Sequence, residues 1–171
     1  DAITVLSDDL REKLVDRVPN ENQLLVIPNF VDTESIYPSE RHNNYRQELG
    51  LLDETLVMYA GNVGFSQPLE LVIEAAEQLL DREDIVFVIN GNGSRRAQLE
   101  KAAEDLPNIT FMDYQPHSRL NEVLAAGDIH LIPLQAGLGS ISVPSKLYSI
   151  LAAGRPVLAS VDSGTEIDRV V

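Results

Sequence analysis

Residues 56–93 read LVMYAGNVGFSQPLELVIEAAEQLLDREDIVFVINGNG, and this stretch decides the fold. Two apolar runs, Leu56 to Ala60 and Ile85 to Ile89, lack the polar alternation of a half-exposed strand. They read instead as strands covered on both faces. Between them Leu69, Val72, Ile73, Ala76, Leu79 and Leu80 recur at three-four spacing, with Glu70, Glu74 and Glu77 off the stripe. That periodicity predicts an amphipathic helix. Each strand runs into a glycine turn, Gly61 to Gly64 and Gly91 to Gly93, so the unit is strand, turn, helix, strand.

The rhythm extends in both directions. Further apolar runs lie at Ile3 to Leu6, Leu24 to Ile27, Ile109 to Met112, Ile129 to Ile132 and Pro156 to Ala159. Helical spacing recurs through Leu99, Ala102, Ala103 and Leu106, through Leu120, Val123 and Leu124, and through Leu147, Ile150 and Leu151. Alternating strands and helices predict an α/β domain, a doubly wound and mostly parallel sheet. Residues 28–50 interrupt the pattern with Pro28, Asn29, Asp32, Pro38, Ser39, His42, Asn43 and Asn44, a polar connection with a short helix ending at Gly50. The first strand begins at residue 3 and the chain stops within a helical pattern at Val170-Val171, so both ends read as cut and the 171 residues as a single-domain fragment.

Composition narrows the partners. A net charge of −14 argues against nucleic acid and anionic membrane surfaces. An anionic ligand would need local help from helix N-termini, backbone amides or a placed lysine. No apolar run is long enough to span a bilayer, so no membrane insertion is expected, and Asp1-Ala2-Ile3-Thr4 lacks the basic start of a signal peptide. Without a secretory signal, the sequons at Asn92 and Asn108 read as chance. With no cysteine, disulfides, thiolate zinc sites and a cysteine nucleophile are excluded.

Ligands of open parallel sheets bind beyond the carboxyl ends of the strands, where four segments stand out. Gly61-Asn62-Val63-Gly64 lets the backbone approach a phosphate, or is simply a tight turn. Asn90-Gly91-Asn92-Gly93-Ser94 resembles half of a dinucleotide fingerprint, and Asp113 follows Gly91 by 22 residues, near the spacing of a ribose-binding acid. Arg96 stands where that motif needs its third glycine. Asp113-Tyr114-Gln115-Pro116-His117 presents a ring and backbone groups to a base, or is a surface turn with an idle histidine. His130, inside a predicted strand, reads as a core residue.

The fourth segment is the most specific. Pro144 and Ser145 open a helix that Gly154 and Pro156 close. On it Ser145 and Ser149 share a face flanked by Lys146, with Leu147 and Leu151 expected toward the core. Hydroxyls, free amides and an ammonium at one helix start suit a pyrophosphate. No metal-ligand cluster, Walker loop or Ser-His-Asp arrangement is discernible, so neither a metal nor another cofactor is implied.

The order of these motifs resembles the C-terminal half of the group 1, family-4 type glycosyltransferases of GT-B fold. The resemblance is carried by Val26 to Asp32, Tyr59 to Gly64, Leu69 to Ala76, Asn90 to Gly93, Ala126 to Ile129, Pro144 to Tyr148 and Ala152 to Val157. The Pro-Ser-Lys form is similar to bacterial members that build surface polysaccharides. The resemblance implies a Rossmann-like domain, one half of a GT-B fold, with residues 1–20 near the inter-domain hinge. It implies a nucleotide-diphosphate sugar as donor substrate, transfer with retention, and an N-terminal acceptor-binding domain of the same parent as partner. It also implies a cytoplasmic location, with the parent peripheral at the inner membrane face.

By the resemblance, Gly61, Asn62 and Gly64 approach the donor phosphates, with Gly91 on the neighbouring turn. Tyr114 and Gln115 hold the base, and Ser145, Lys146 and the Leu147 amide hold the pyrophosphate. Lys146 would neutralise charge on the leaving group, the one catalytic role assigned. Three departures from the family stand out. Ser149 and Ile141 stand where glutamates are common, and Phe65, Ser66 and Gln67 stand where an arginine and a lysine are common. A hydroxyl at 149 holds a ribose more weakly than a carboxylate does. A degenerate nucleotide-binding module, a GT-B-fold epimerase and an NAD-binding domain remain alternatives at this point.

Overall fold

The computed structural model describes residues 2–171. Its core is a five-stranded, all-parallel sheet built from β3 (Thr55–Ala60), β4 (Ile85–Asn90), β5 (Ile109–Met112), β6 (Ile129–Pro133) and β7 (Val157–Ser160), in the order β5-β4-β3-β6-β7. The chain steps outward from β3 to β5, then returns to β6 on the other side of β3. Parallel strands are joined by right-handed crossovers. The outgoing helices α3 (Glu70–Gln78) and α4 (Arg96–Ala102) therefore cover one face, and α5 (Leu120–Ala126) and α6 (Lys146–Ala152) the other.

Side-chain alternation along β3 and β4 matches this division. Val57, Tyr59, Phe87 and Ile89 pack with Leu69, Val72, Ile73 and Ala76 around α3 and with Leu99 of α4. Leu56, Met58 and Val88 point the other way, to Val123 and Ala126 of α5 and to Tyr45. Ile132, Leu147, Ile150 and Ile167 form a further apolar cluster around β6 and α6. The doubly wound α/β arrangement expected from the sequence is what the chain adopts. On α6 the buried pair is Leu147 and Ile150, whereas Leu151 is 43% exposed, contrary to the expected orientation. The 147/150 step of three places both on the buried line, and residue 151 rotates past it.

Two of the seven runs read as strands lie outside this sheet. β1 (Ile3–Val5) and β2 (Leu24–Val26) pair in parallel as a separate two-stranded ribbon, with Ile3, Leu25 and Ile27 well exposed. Between them runs α1 (Asp8–Leu14), whose Asp9 pairs with Arg169 of α7 (Glu166–Val170) and accepts the Glu166 amide. The α3-side face of β6 and β7 forms an apolar groove of about 360 Å3 with Leu131 and Leu158 along it. No described helix is long and apolar enough to cross a membrane.

The polar connection is anchored at α2 (Asn44–Glu48), whose start is capped by Asn43. Its Arg46, only 1% exposed, bonds the Ala126 carbonyl and Asp128, both at 2.9 Å. It also donates to the Glu54 and Leu52 carbonyls. Asp128 in turn accepts from the Leu56 amide at 2.8 Å and from Arg41 at 2.7 Å. Burial alone would raise the Asp128 carboxyl, but the Leu56 amide and the two guanidiniums outweigh it and hold the group below its usual range. One carboxylate thereby fixes the entry of β3, the entry of β6 and residues 41–46 against one another.

A cavity at the switch point of the sheet

Where the winding direction reverses, the carboxyl ends of β3 and β6 part and leave a crevice. A cavity of about 330 Å3 opens beside it. Ala60 and Gly61 close β3 on one wall, with Asn90 at the end of β4 next to them. Tyr114, Gln115 and His117 come from the segment after β5, and Leu120, Val123 and Leu124 from α5. Ser145, Lys146 and Ser149 close it from the start of α6. The structure thus brings together six of the residues singled out in the sequence: Gly61, Tyr114, Gln115, Ser145, Lys146 and Ser149.

The two glycine turns lie side by side. The Gly61 amide donates to the Asn90 carbonyl and the Val63 amide to the Asn92 carbonyl, both at 2.9 Å, prolonging the β3–β4 ladder past the sheet. Gly91 and Gly93 have their backbone against the carbonyls of Gly61 and Val63, where a Cβ would fall 1.9 and 2.2 Å from the oxygens. Glycine at 91 is therefore demanded by the neighbouring turn itself. Asn62, Gly64 and Gly91 are not among the residues lining the cavity. The Leu147 amide is bonded to the Pro144 carbonyl at 3.1 Å and its side chain is fully buried. The amides of Gly61, Val63 and Leu147 are thus already bonded, and the Lys146 ammonium faces the space.

Lys146 reaches over the carboxyl end of β3. Its Nζ sits 3.8 Å from the centroid of the Tyr59 ring and 2.6 Å from where a Gly61 Cβ would lie. Among the described residues no carboxylate pairs with it, and burial pushes its ammonium down to about 7. Tyr59 is fully buried; its hydroxyl donates to the Asn62 carbonyl at 2.6 Å, and burial raises its phenol. Asn90 is 5% exposed and accepts from the Tyr45 hydroxyl, which burial raises to about 12. On the outer wall the Tyr114 hydroxyl donates to the Asn92 carbonyl, and Gln115 accepts from Arg119, itself paired with Glu48 and Glu122.

Several residues here carry no individual signal in the sequence. Asn90 and His117 read only as members of two candidate segments, the latter equally as an idle surface histidine, and Tyr59 as another strand residue. Asp113, which has the spacing of a ribose-binding acid, is 75% exposed and paired with Arg96. That guanidinium also donates to the Gly91 carbonyl, so the carboxylate is already engaged.

His130 is buried in β6 as expected, 1% exposed, with Nε2 donating to the Leu124 carbonyl at 2.9 Å and Nδ1 without a partner among the described residues. Burial drives its imidazole down to about 4. The folded state thus binds the proton less readily than the unfolded chain, whose histidine titrates near 6.5. The resulting stability is complete above about pH 6.5 and is lost as pH falls toward 4. Urea titrations of His130→Asn should accordingly show a flatter stability profile between those limits than the parent, by about 3 kcal/mol at most. Parallel profiles would contradict a neutral buried imidazole.

Comparison with known proteins agrees with the geometry. A family model described as Glycosyl transferases group 1 matches residues 54–171. WcaI of Escherichia coli K12, whose name provisionally assigns it to colanic acid biosynthesis as a glycosyl transferase, is 31% identical over 175 residues, covering 99% of this chain and 43% of that protein. WbjE of Pseudomonas aeruginosa, named as a glycosyltransferase, is 28% identical, with 100% and 43% covered. The chain thus spans less than half the length of these curated relatives. Among solved structures, Anabaena Alr3699/HepE in complex with UDP and glucose superposes with a TM-score of 0.77 at 15% identity, over 99% of this chain and 46% of that one. WaaG, a glycosyltransferase involved in lipopolysaccharide biosynthesis, gives 0.73 at 21% identity, over 91% and 43%. The fold is that of one Rossmann-like half of the GT-B architecture. By sequence, this chain belongs to the group 1 glycosyl transferases.

Proposed function

We propose that this chain supplies the donor site of a retaining glycosyltransferase that moves a sugar from a nucleoside diphosphate to a glycan or lipid-linked acceptor. The observation that carries this reading is the Lys146 ammonium, held beside Gly61 without a carboxylate partner among the described residues, in a chain of net charge −14. An unneutralised cation in so acidic a molecule is a local attractor for an anion. A diphosphate between Gly61 and Ser145 would meet that charge, and the Ser145 and Ser149 hydroxyls would be at hand for phosphate and ribose. Tyr114 and Gln115 border the end of the cavity left for the base, and the UDP complex of a fold neighbour is in keeping with such a ligand.

In the reaction, the bond from the anomeric carbon to the diphosphate oxygen breaks and charge accumulates on the leaving group. Lys146 is placed to stabilise it electrostatically, which needs no metal from these residues. Acceptor recognition falls, in this reading, to an N-terminal domain of the parent chain, and the isolated 171 residues are not expected to turn over. Ser149 and Ile141, where relatives of this type commonly have glutamates, favour a second reading: a module that binds the nucleotide without catalysis.

Calorimetric titration with UDP, GDP, dTDP and NAD separates these possibilities. At least one nucleoside diphosphate should bind, and Lys146→Ala should weaken it by roughly 10- to 100-fold, the loss of one charge-assisted contact. Affinity should fall as pH rises through about 7, where the ammonium is lost. Selective binding of NAD, or nucleotide affinity indifferent to Lys146→Ala, would overturn the proposal. If the full parent also bound the nucleotide but never transferred sugar, the second reading would stand.

A further inference from the structure

A half-buried lysine commonly has a carboxylate beside it, because desolvating an unpaired ammonium is costly. Lys146 has none among the described residues. What it has is an aromatic face: Nζ lies 3.8 Å from the Tyr59 ring centroid, well inside the range for a cation–π contact. The same tyrosine reaches with its hydroxyl to the Asn62 carbonyl at 2.6 Å, inside the Gly61 to Gly64 turn. A carboxylate in place of the ring would neutralise Lys146 and compete with an incoming diphosphate. A ring attracts the ammonium through its quadrupole, adds no net charge, and yields without leaving a buried anion behind.

We propose that Tyr59 is a positioning residue for donor binding: its ring face holds the Lys146 ammonium over the end of β3 and aimed at the Gly61 turn, and its hydroxyl anchors that turn. This rests on the donor-site reading above. The titratable groups beside Lys146 are Tyr59 from β3, Tyr114 and His117 from the segment after β5 and His130 from β6, with Asp128 and Arg155 lying toward His130 and not paired with the lysine. Among the described residues no carboxylate pairs with the lysine, so the ring is the group that favours its charged form.

The chain has three lysines, Lys13, Lys101 and Lys146, so 13Cε-lysine NMR can follow Lys146 directly and without nucleotide. The variants are Tyr59→Phe, which keeps the ring, and Tyr59→Leu, which removes it, both in a His117→Gln background that silences the imidazole in the cavity. Tyr59→Phe should leave the Lys146 midpoint in place. Tyr59→Leu should lower it by about one pH unit, and UDP affinity near pH 7 should drop on the order of tenfold. If Tyr59→Leu does not fold, replacing the five tyrosines with 3-fluorotyrosine keeps the shape and weakens the ring face, and the midpoint should shift in the same direction. A Lys146 midpoint unchanged by either route overturns the positioning role. A midpoint that responds to the ring in these variants, with UDP, GDP and dTDP all failing to bind the wild-type chain, overturns the donor reading instead.

Discussion

Gly91→Ala should destabilise the chain by about 3 kcal/mol or more and lower its melting temperature by roughly 10 °C. The added Cβ would lie 1.9 Å from the Gly61 carbonyl oxygen, and the obstacle is backbone, which cannot rotate aside as a side chain can. Relief requires separating two turns that are hydrogen-bonded through Gly61 to Asn90 and Val63 to Asn92. Gly137→Ala is the control: its φ of 85°, like the 155° of Gly91, is one alanine rarely adopts, but no described atom lies within 4 Å of the new methyl. That variant should lose only about 1–2 kcal/mol, the conformational cost alone. Circular-dichroism melts of the two variants side by side would decide the matter. Equal losses would mean that the β3 and β4 turns are not in contact. Because Gly61 borders the cavity, Gly91→Ala should also weaken nucleotide binding at temperatures where the variant remains folded.

Removing the buried guanidinium should be comparably severe. Arg46→Ala would leave Asp128 without one of its two cationic partners and would strand the carbonyls of Ala126, Glu54 and Leu52. Taking one partner from a buried pair typically costs about 3–5 kcal/mol, because the remaining charge stays desolvated. In a double-mutant cycle with Asp128→Asn, denaturant unfolding should give a coupling above roughly 1 kcal/mol. Arg41→Ala should cost less, since Arg41 is more exposed and its partner keeps Arg46. Additive losses for Arg46 and Asp128 would show that the pair is not the clamp described above.

These two sites also mark how far the sequence alone can be followed. The strands of the main sheet were visible because burial on both faces suppresses polar residues in them, as in Leu56 to Ala60 and Ile85 to Ile89. Ile3 to Leu6 and Leu24 to Ile27 carry the same apolar character, yet they pair only with each other. Run composition reports that a segment is extended and apolar, and says little about which sheet takes it. The helix bearing Lys146 was placed by its proline and glycine boundaries, and six of the residues picked out at the strand ends do meet at one cavity. Arg46 and Asp128 were not recognisable as a pair, because they are 82 residues apart and meet only when β3 and β6 are adjacent. Tyr59 was hidden for a similar reason: alternation gives the face it occupies but not that a lysine 87 positions later would settle on its ring. The glycines at 91 and 93 illustrate the converse. Their spacing suggested a ligand, whereas their nearest neighbours are backbone carbonyls of the adjacent turn.

The central claim is that a diphosphate docks between the Gly61 turn and the start of α6, drawn there by Lys146. Amide chemical-shift mapping of the 15N-labelled chain during titration with UDP, repeated with GDP and dTDP, tests it most directly. The account predicts saturable shifts concentrated at Gly61 to Gly64, Tyr114 to His117 and Ser145 to Ser149, lost in Lys146→Ala. Shifts centred instead on the apolar groove along Leu131 and Leu158, or a pattern at the cavity that persists unchanged in Lys146→Ala, would contradict it.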